Sequence, residues 1–299
     1  MSVSYALRIA LATLLCTCAL HAKAAVTCTL TATSVSLNYV NNQGTNANAS
    51  GNITLNCTRL ASDLNTQNYW VSIGFGTQAG IPRRIFRHGG GTADADRLNV
   101  SIFKNGTATN WTNTGGGRVN GTLNFGAALN ASVVLTYNFR VTSGQNGNSF
   151  GIYDDIFVTN LQLTTNGPVV ATTAFTPTVS IVAACFVGQV ASGNTAPGAI
   201  SPSTLTLNYT SFALAPQTAT MNFTVDCTRN TTYTLALSPT AGTLLGLNYT
   251  LALSGAGATG TGFAQPYTVT GTIPANQAGT CSTATCTATQ PGVTVTVTY

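Results

Sequence analysis

One unit is written twice in this chain, and the duplication limits the folds open to it. The first copy has Cys28, then Leu37-Asn38-Tyr39, then Ile53-Thr54-Leu55-Asn56-Cys57-Thr58-Arg59. The second has Cys185, then Leu207-Asn208-Tyr209, then Phe223-Thr224-Val225-Asp226-Cys227-Thr228-Arg229. The interval from Tyr39 to Cys57 equals that from Tyr209 to Cys227. Further on, Leu98-Asn99-Val100-Ser101-Ile102 aligns with Leu247-Asn248-Tyr249-Thr250-Leu251, and Val119-Asn120-Gly121-Thr122-Leu123 with Val269-Thr270-Gly271-Thr272-Ile273. Four matches in one order predict two homologous modules, 25–180 and 181–299.

Both modules read as short strands. Residues 52–56 and 221–225 alternate with period two, as do 132–141 with one slip. Val293, Val295, Val297 and Tyr299 share one face of a final strand, with threonines on the other. β-branched residues dominate, Gly, Asn and Pro punctuate, and no helical period follows the first residues. The expectation is all-β, as two tandem sandwiches. Only 6% of the 299 residues are charged, and the six acids are all Asp. Such a chain lacks the Glu and Lys of coiled coils and the charge of disordered tails. It is also poor in the paired carboxylates and His clusters of catalysis. His88 with Asp94 or Asp96 has no Gly-x-Ser-x-Gly elbow, and Asp154 and Asp155 alternate faces. No enzyme and no cofactor are expected.

Residues 1–24 read as a signal peptide: Arg8, an apolar run from Ile9 to about Leu20, and Ala22-Lys23-Ala24 as the cleavage site. The run is shorter than the ~20 residues that span a bilayer. Export leaves Cys28, Cys57, Cys185, Cys227, Cys281 and Cys286, an even set that suggests three disulfides. Spacing alone leaves 15 pairings open. The duplication proposes Cys28–Cys57 and Cys185–Cys227, with Cys281–Cys286 remaining. Zinc is disfavoured, because no Cys-x-x-Cys pair is present and a single His remains.

The opening Cys, the strand ending in Cys-Thr, Tyr69 and Tyr233 starting the next strand, the Leu-Asn and Val-x-Gly-x-Leu/Ile strands and the terminal Val-Thr-Val-Thr-Val-Thr-Tyr form a joint pattern. Ser143-Gly144-Gln145, Gly151-Ile152-Tyr153-Asp154-Asp155 and Ile273-Pro274-Ala275-Asn276-Gln277 add to it. The pattern resembles the spore coat U domain, the pilin-type module of archaic (Csu-type) chaperone–usher pili. The second copy departs from it, having Pro291-Gly292-Val293 in place of the Tyr-x-Asp. The resemblance implies immunoglobulin-like sandwiches of which a pilin-type one lacks its last strand. A periplasmic chaperone and then an adjacent subunit fill the gap by strand addition. It also implies an outer-membrane usher as assembly partner, and chaperone contact through the Tyr299 carboxylate.

Only Ala25, Val26 and Thr27 separate the cleavage site from Cys28, about 10 Å of chain, too short for a donor strand. The reading is therefore a tip subunit exported through the periplasm to the cell surface. Residues 169–180 are expected to complete the first module in cis, and the second module is expected to be open along Val293, Val295, Val297 and Tyr299. Its function is attachment to abiotic or host surfaces and biofilm formation. The alternative is a secreted coat or lectin-like carbohydrate-binding protein. The adhesive candidates are Leu60 and Leu64 in the loop after Cys57, Trp111 in a Gly/Asn/Thr-rich loop, and the cationic set Arg83, Arg84 and Arg87. Nucleic acid is not an expected partner, because no stacking aromatics interleave the small basic cluster.

Overall fold

The computed structural model describes residues 26–41, 43–90, 93–188 and 204–299. The predicted signal peptide lies outside the described residues. Among these residues the fold is all-β, with two short 3-10 turns at Asp94–Asp96 and Gly115–Gly117. Residues up to 181 form β1 Thr27–Ala32, β2 Ser36–Tyr39, β3 Ala47–Thr58, β4 Thr66–Ile73, β5 Arg83–Arg87, β6 Arg97–Lys104, β7 Val119–Asn124, β8 Asn130–Val141, β9 Gly151–Asp154, β10 Phe157–Gln162, β11 Val169–Phe175 and β12 Thr178–Ile181. From residue 185 follow β13 Cys185–Gly188, β14 Gln217–Cys227, β15 Thr232–Ser238, β16 Ala241–Leu244, β17 Leu247–Leu253, β18 Gly257–Thr259, β19 Ala264–Ile273 and β20 Thr294–Thr298.

The first group makes an eight-stranded sheet, β1-β3-β8-β6-β5-β9-β12-β2, and a four-stranded sheet, β11-β10-β4-β7. Both sheets turn their period-two apolar faces into one core. Ile53, Leu55, Tyr137 and Phe139 come from one sheet, and Val71, Ile73, Phe157 and Leu161 from the other. The second group repeats the plan in fewer strands, β13-β14-β19-β17-β16 over β18-β15-β20, around Phe223, Val225, Tyr233 and Leu251. Cys28 lies opposite Cys57 on β1 and β3, and Cys185 opposite Cys227 on β13 and β14. Both pairs are bonded, as is Cys281–Cys286. These are the pairings proposed from the duplication.

The ladders correct one of the four sequence matches. β19 pairs with β14 and β17 as β8 pairs with β3 and β6. Residues 269–273 therefore correspond to 137–141 of β8, and the Val-x-Gly-x-Leu strand is β7, in the other sheet. The two glycines meet different needs. Gly121 lies under the Tyr69 ring opposite it on β4. A Cβ at Gly271 would come within 2.9 Å of Leu205 and 3.0 Å of Leu207.

A polar knot is repeated instead. The Gln145 side chain pairs with one residue's backbone as a strand neighbour would. Its Oε1 accepts the Asn99 N–H at 2.7 Å, and its Nε2 donates to the Asn99 carbonyl at 2.9 Å. The Gln145 N–H donates to the Tyr39 hydroxyl at 2.9 Å, which donates to the Gln145 carbonyl at 3.2 Å. In the second group Gln277 does the same to Asn248 at 2.7 and 3.0 Å, and Tyr209 to Gln277 at 2.8 and 3.2 Å. Each knot fastens the chain leaving β8 or β19 to the strand beside it.

Gln145→Ala strands a partly buried N–H and C=O and should cost about 1–3 kcal/mol. The Gln277 bonds are exposed, so water replaces them, and Gln277→Ala should cost well under half as much. Urea unfolding of the two variants checks the ratio.

Candidate functional site

The two groups of strands supply an internal control for the expected open edge. β10 pairs on one side with β4 and on the other with β11. Its equivalent, β20, pairs with β15 and, among the described residues, with no second strand. The registers match position for position. Leu161 lies opposite Val71 and Val297 opposite Leu235; Thr159 lies opposite Ile73 and Val295 opposite Leu237. Phe157, Thr159 and Leu161 are all 0% exposed. Val295 and Val297 are half-buried, while Val293 is 39% and Tyr299 61% exposed. The difference goes with the second strand neighbour, which β10 has and β20 lacks among the described residues.

The opposite wall of this gap was not singled out from the sequence. In the first group β12 runs parallel to β2, with Val179 beside Leu37 and Ile181 beside Tyr39. Residues 204–210 hold the place of β2 but have no strand pairing. Leu205, Leu207 and Tyr209 lean half-buried on the core. The Leu-x-Leu-x-Tyr alternation is legible. That it needs a parallel neighbour became visible only through β12.

At the other extreme of the molecule, the loops 59–65 and 125–129 are fastened by Arg59. Its side chain is buried and donates to the carbonyls of Ala128 (3.1 Å), Leu60 (3.3 Å), Asp63 (2.9 Å) and Gly126 (3.1 Å), and its guanidinium carbon lies 5.7 Å from the Phe125 ring centroid. The Arg59 N–H donates to the Leu129 carbonyl at 2.8 Å. Leu60, Leu64 and Leu129 are thereby held outward at 57%, 77% and 47% exposure. Leu129 joins the two leucines singled out from the sequence. β8 begins at this end and finishes at the Gln145 knot, about 40 Å away for its 12 residues.

The knot end of the first group meets the second. The Phe150 N–H donates to the Arg229 carbonyl at 3.3 Å, Asn230 Nδ2 donates to Ser149 Oγ at 3.0 Å, and Phe263 packs against Gly147. The loop after Cys227 is thus turned inward, whereas its longer counterpart after Cys57 is free.

Two adhesive candidates are corrected. Trp111 is fully buried. The loop folds back on β6, with the Trp111 N–H on the Ile102 carbonyl at 2.8 Å, and the indole Nε1 donates to the Val71 carbonyl at 2.9 Å. Arg83 is not part of a solvated cluster. It points inward from β5, is 1% exposed, and lies over the Phe75 and Phe157 rings. Its guanidinium donates to the carbonyls of Gly74 and Ile73 at 3.0 Å, and to that of Trp111. Desolvation lowers its pKa to about 10. Arg84 donates to Gln78 at 3.1 Å and Arg87 is paired with Asp96 at 2.5 Å, so the three arginines do not form one cationic surface. His88 faces Asp154 at 3.4 Å across an open groove. No group of three or more His, Cys, Asp or Glu side chains among the described residues could hold a metal.

The model of the Spore Coat Protein U domain matches residues 12–160. No curated protein matches the chain. Among solved structures, the CsuC–CsuE chaperone–tip adhesion subunit pre-assembly complex from the archaic chaperone–usher Csu pili of Acinetobacter baumannii is similar at 13% identity and a TM-score of 0.46, over 90% of this chain and 100% of that one. A chaperone–tip adhesin complex of CFA/I fimbriae biogenesis is similar at 12% identity and a TM-score of 0.33, over 89% of this chain and 95% of that one. AggA, the major subunit of aggregative adherence fimbriae type I from Escherichia coli, is similar at 13% identity and a TM-score of 0.31, over 54% of this chain and 99% of that one.

Burial separates the leucines from the tryptophan. Leu60→Ser with Leu64→Ser should leave stability within about 0.5 kcal/mol, whereas Trp111→Ala should cost about 3–5 kcal/mol. Chemical denaturation of the three proteins measures both.

Proposed function

We propose that this chain, whose N-terminal half belongs to the Spore Coat Protein U domain family, is a tip subunit of a chaperone–usher pilus that attaches the cell to surfaces and supports biofilm formation. The observation that carries the reading is the β20 edge, which among the described residues has one strand neighbour where its counterpart β10 has two. An apolar row with free N–H and C=O groups pairs with another chain or aggregates. Strand addition satisfies it, because main-chain bonds supply affinity and the alternate side chains supply selectivity. In this reading a periplasmic chaperone covers Val293, Val295, Val297 and Tyr299 first. At the outer-membrane usher, a strand from the adjacent subunit then replaces it.

The division of labour follows from the two modules, 25–180 and 181–299. The first already has β11 and β12 in the places that no described strand fills in the second, so it accepts no partner strand. Only the second joins the fibre. The leucine-bearing loops stand at the end of β8 remote from the second module, which aims Leu60, Leu64 and Leu129 away from the fibre. Attachment through them is apolar, tolerant of the surface's chemistry, and weakly dependent on salt.

Three outcomes are expected. Produced without a pilus chaperone, the chain should aggregate; with one, it should be recovered as a one-to-one complex. Leu60→Ser, Leu64→Ser and Leu129→Ser together should abolish most surface attachment while pili assemble normally. Arg84→Gln with Arg87→Gln should leave attachment unchanged. A soluble monomer obtained without any chaperone, and insensitive to added strand peptides, would rule out the pilus reading in favour of a free coat or lectin-like protein.

A further inference from the structure

We infer that residues 169–181 are the second module's own donor extension, inserted into the first module, and that they set the pattern of the strand the second module accepts. The inference rests on the pilus reading above. β11 and β12 directly precede β13, the first strand of the second module, with only Val182, Ala183 and Ala184 between. Yet they complete the first module, β11 antiparallel to β10 and β12 parallel to β2. A strand that comes before one sandwich and finishes another is a donor extension. The chain is thus a fused donor–acceptor pair, and its internal joint is a copy of the joint it makes next.

The copy gives the accepted strand's chemistry. From residue 171 to 181 every second residue faces inward: Ala171, Thr173, Phe175, Pro177, Val179 and Ile181, the last four fully or nearly buried. The outward positions between them are mostly Thr, Ala and Ser. Ala171 lies opposite Leu161, Thr173 opposite Thr159 and Phe175 opposite Phe157, so in the second module the same donor positions face Val297, Val295 and Val293. Phe175 lies 4.7 Å from the Tyr137 ring and 5.8 Å from the Phe157 ring. Val269 and Val293 hold those two places in the second module. Both are smaller, so the site opposite Val293 admits an aromatic side chain. The two branched positions fall beside Leu207 and Tyr209, as Val179 and Ile181 fall beside Leu37 and Tyr39. The partner strand therefore reads small, small, aromatic, Pro or a branched residue, branched, branched at alternate positions, and runs antiparallel to β20 and then parallel to residues 204–210.

The test uses the full chain, released from its chaperone in the presence of synthetic peptides. The peptides are residues 169–181, the same peptide with Phe175→Ser, one with inward and outward residues exchanged, and a plain Thr-Val alternation. Hydrogen exchange at Thr294–Thr298 and the Tm of the less stable transition report occupancy. The 169–181 peptide should protect the β20 amides and raise that Tm. Phe175→Ser should weaken binding at least about tenfold, and the exchanged peptide should not bind. Equal binding of the 169–181, Phe175→Ser and Thr-Val peptides overturns the pattern but leaves the open edge standing. Failure of every alternating peptide to protect β20 overturns the open edge and the pattern together.

Discussion

A β-strand at the edge of a sandwich has two obligations: its outward row of N–H and C=O groups must find partners or water, and its inward side chains must be roofed. The first module meets both at β10, because β11 lies alongside and Phe175 closes over Phe157 and Tyr137. Among the described residues β20 has no second strand alongside, and its inward valines are roofed only in part. The contrast lies within one chain, between equivalent positions with equivalent partners on the paired side, so among the described residues the greater exposure of the valines on β20 goes with the lack of a second strand neighbour. The lack of strand pairing at residues 204–210 has the same origin, since the strand neighbour of β2 is β12.

Both modules are also held by interactions that need no added strand. Each opening strand is stapled to its neighbour by a disulfide between directly opposed residues. Closing loops of such length constrains the unfolded chain by about 3–4 kcal/mol each in the chain-entropy picture. The Tyr–Gln–Asn knots hold the far ends of β8 and β19. Arg59 and Arg83 serve as fasteners, their guanidinium groups spent on carbonyls and ring faces. In the second module the Cys185–Cys227 staple and the knot of Tyr209, Gln277 and Asn248 keep the frame around β20 in shape.

Much of this was legible in residues 25–299 alone. The alternation of Val293 to Tyr299, the duplicated Cys and Tyr spacing and the free leucines after Cys57 are local signals, and a sandwich converts them directly into an edge strand, a repeat and a loop. The failures are non-local. Trp111 sits among Asn, Thr and Gly, which mark a loop correctly, but nothing in that stretch tells that the loop folds back and drives the indole between the sheets. Arg83 looks like one of three exposed cations. Its burial depends on carbonyls and rings supplied by the end of β4 and the residues after it, by β10 and by the Trp111 loop. The mistaken strand match arose because two glycines, one under Tyr69 and one under Leu205 and Leu207, carry similar flanks for unrelated reasons.

The staple at Cys185 has a mechanical side. Residues 182–184 are the covalent path between the modules, so a pull on the first module enters the second at β13, which lies at the margin of its sheet. Pulled alone, such a ribbon would peel from β14 one hydrogen bond at a time, the weakest way to load a ladder. The Cys185–Cys227 bond lies at the very residue where the tension arrives and passes it to β14, deeper in the sheet. The bond thereby shields the β13 seam from unzipping, and reducing it would leave that seam to peel.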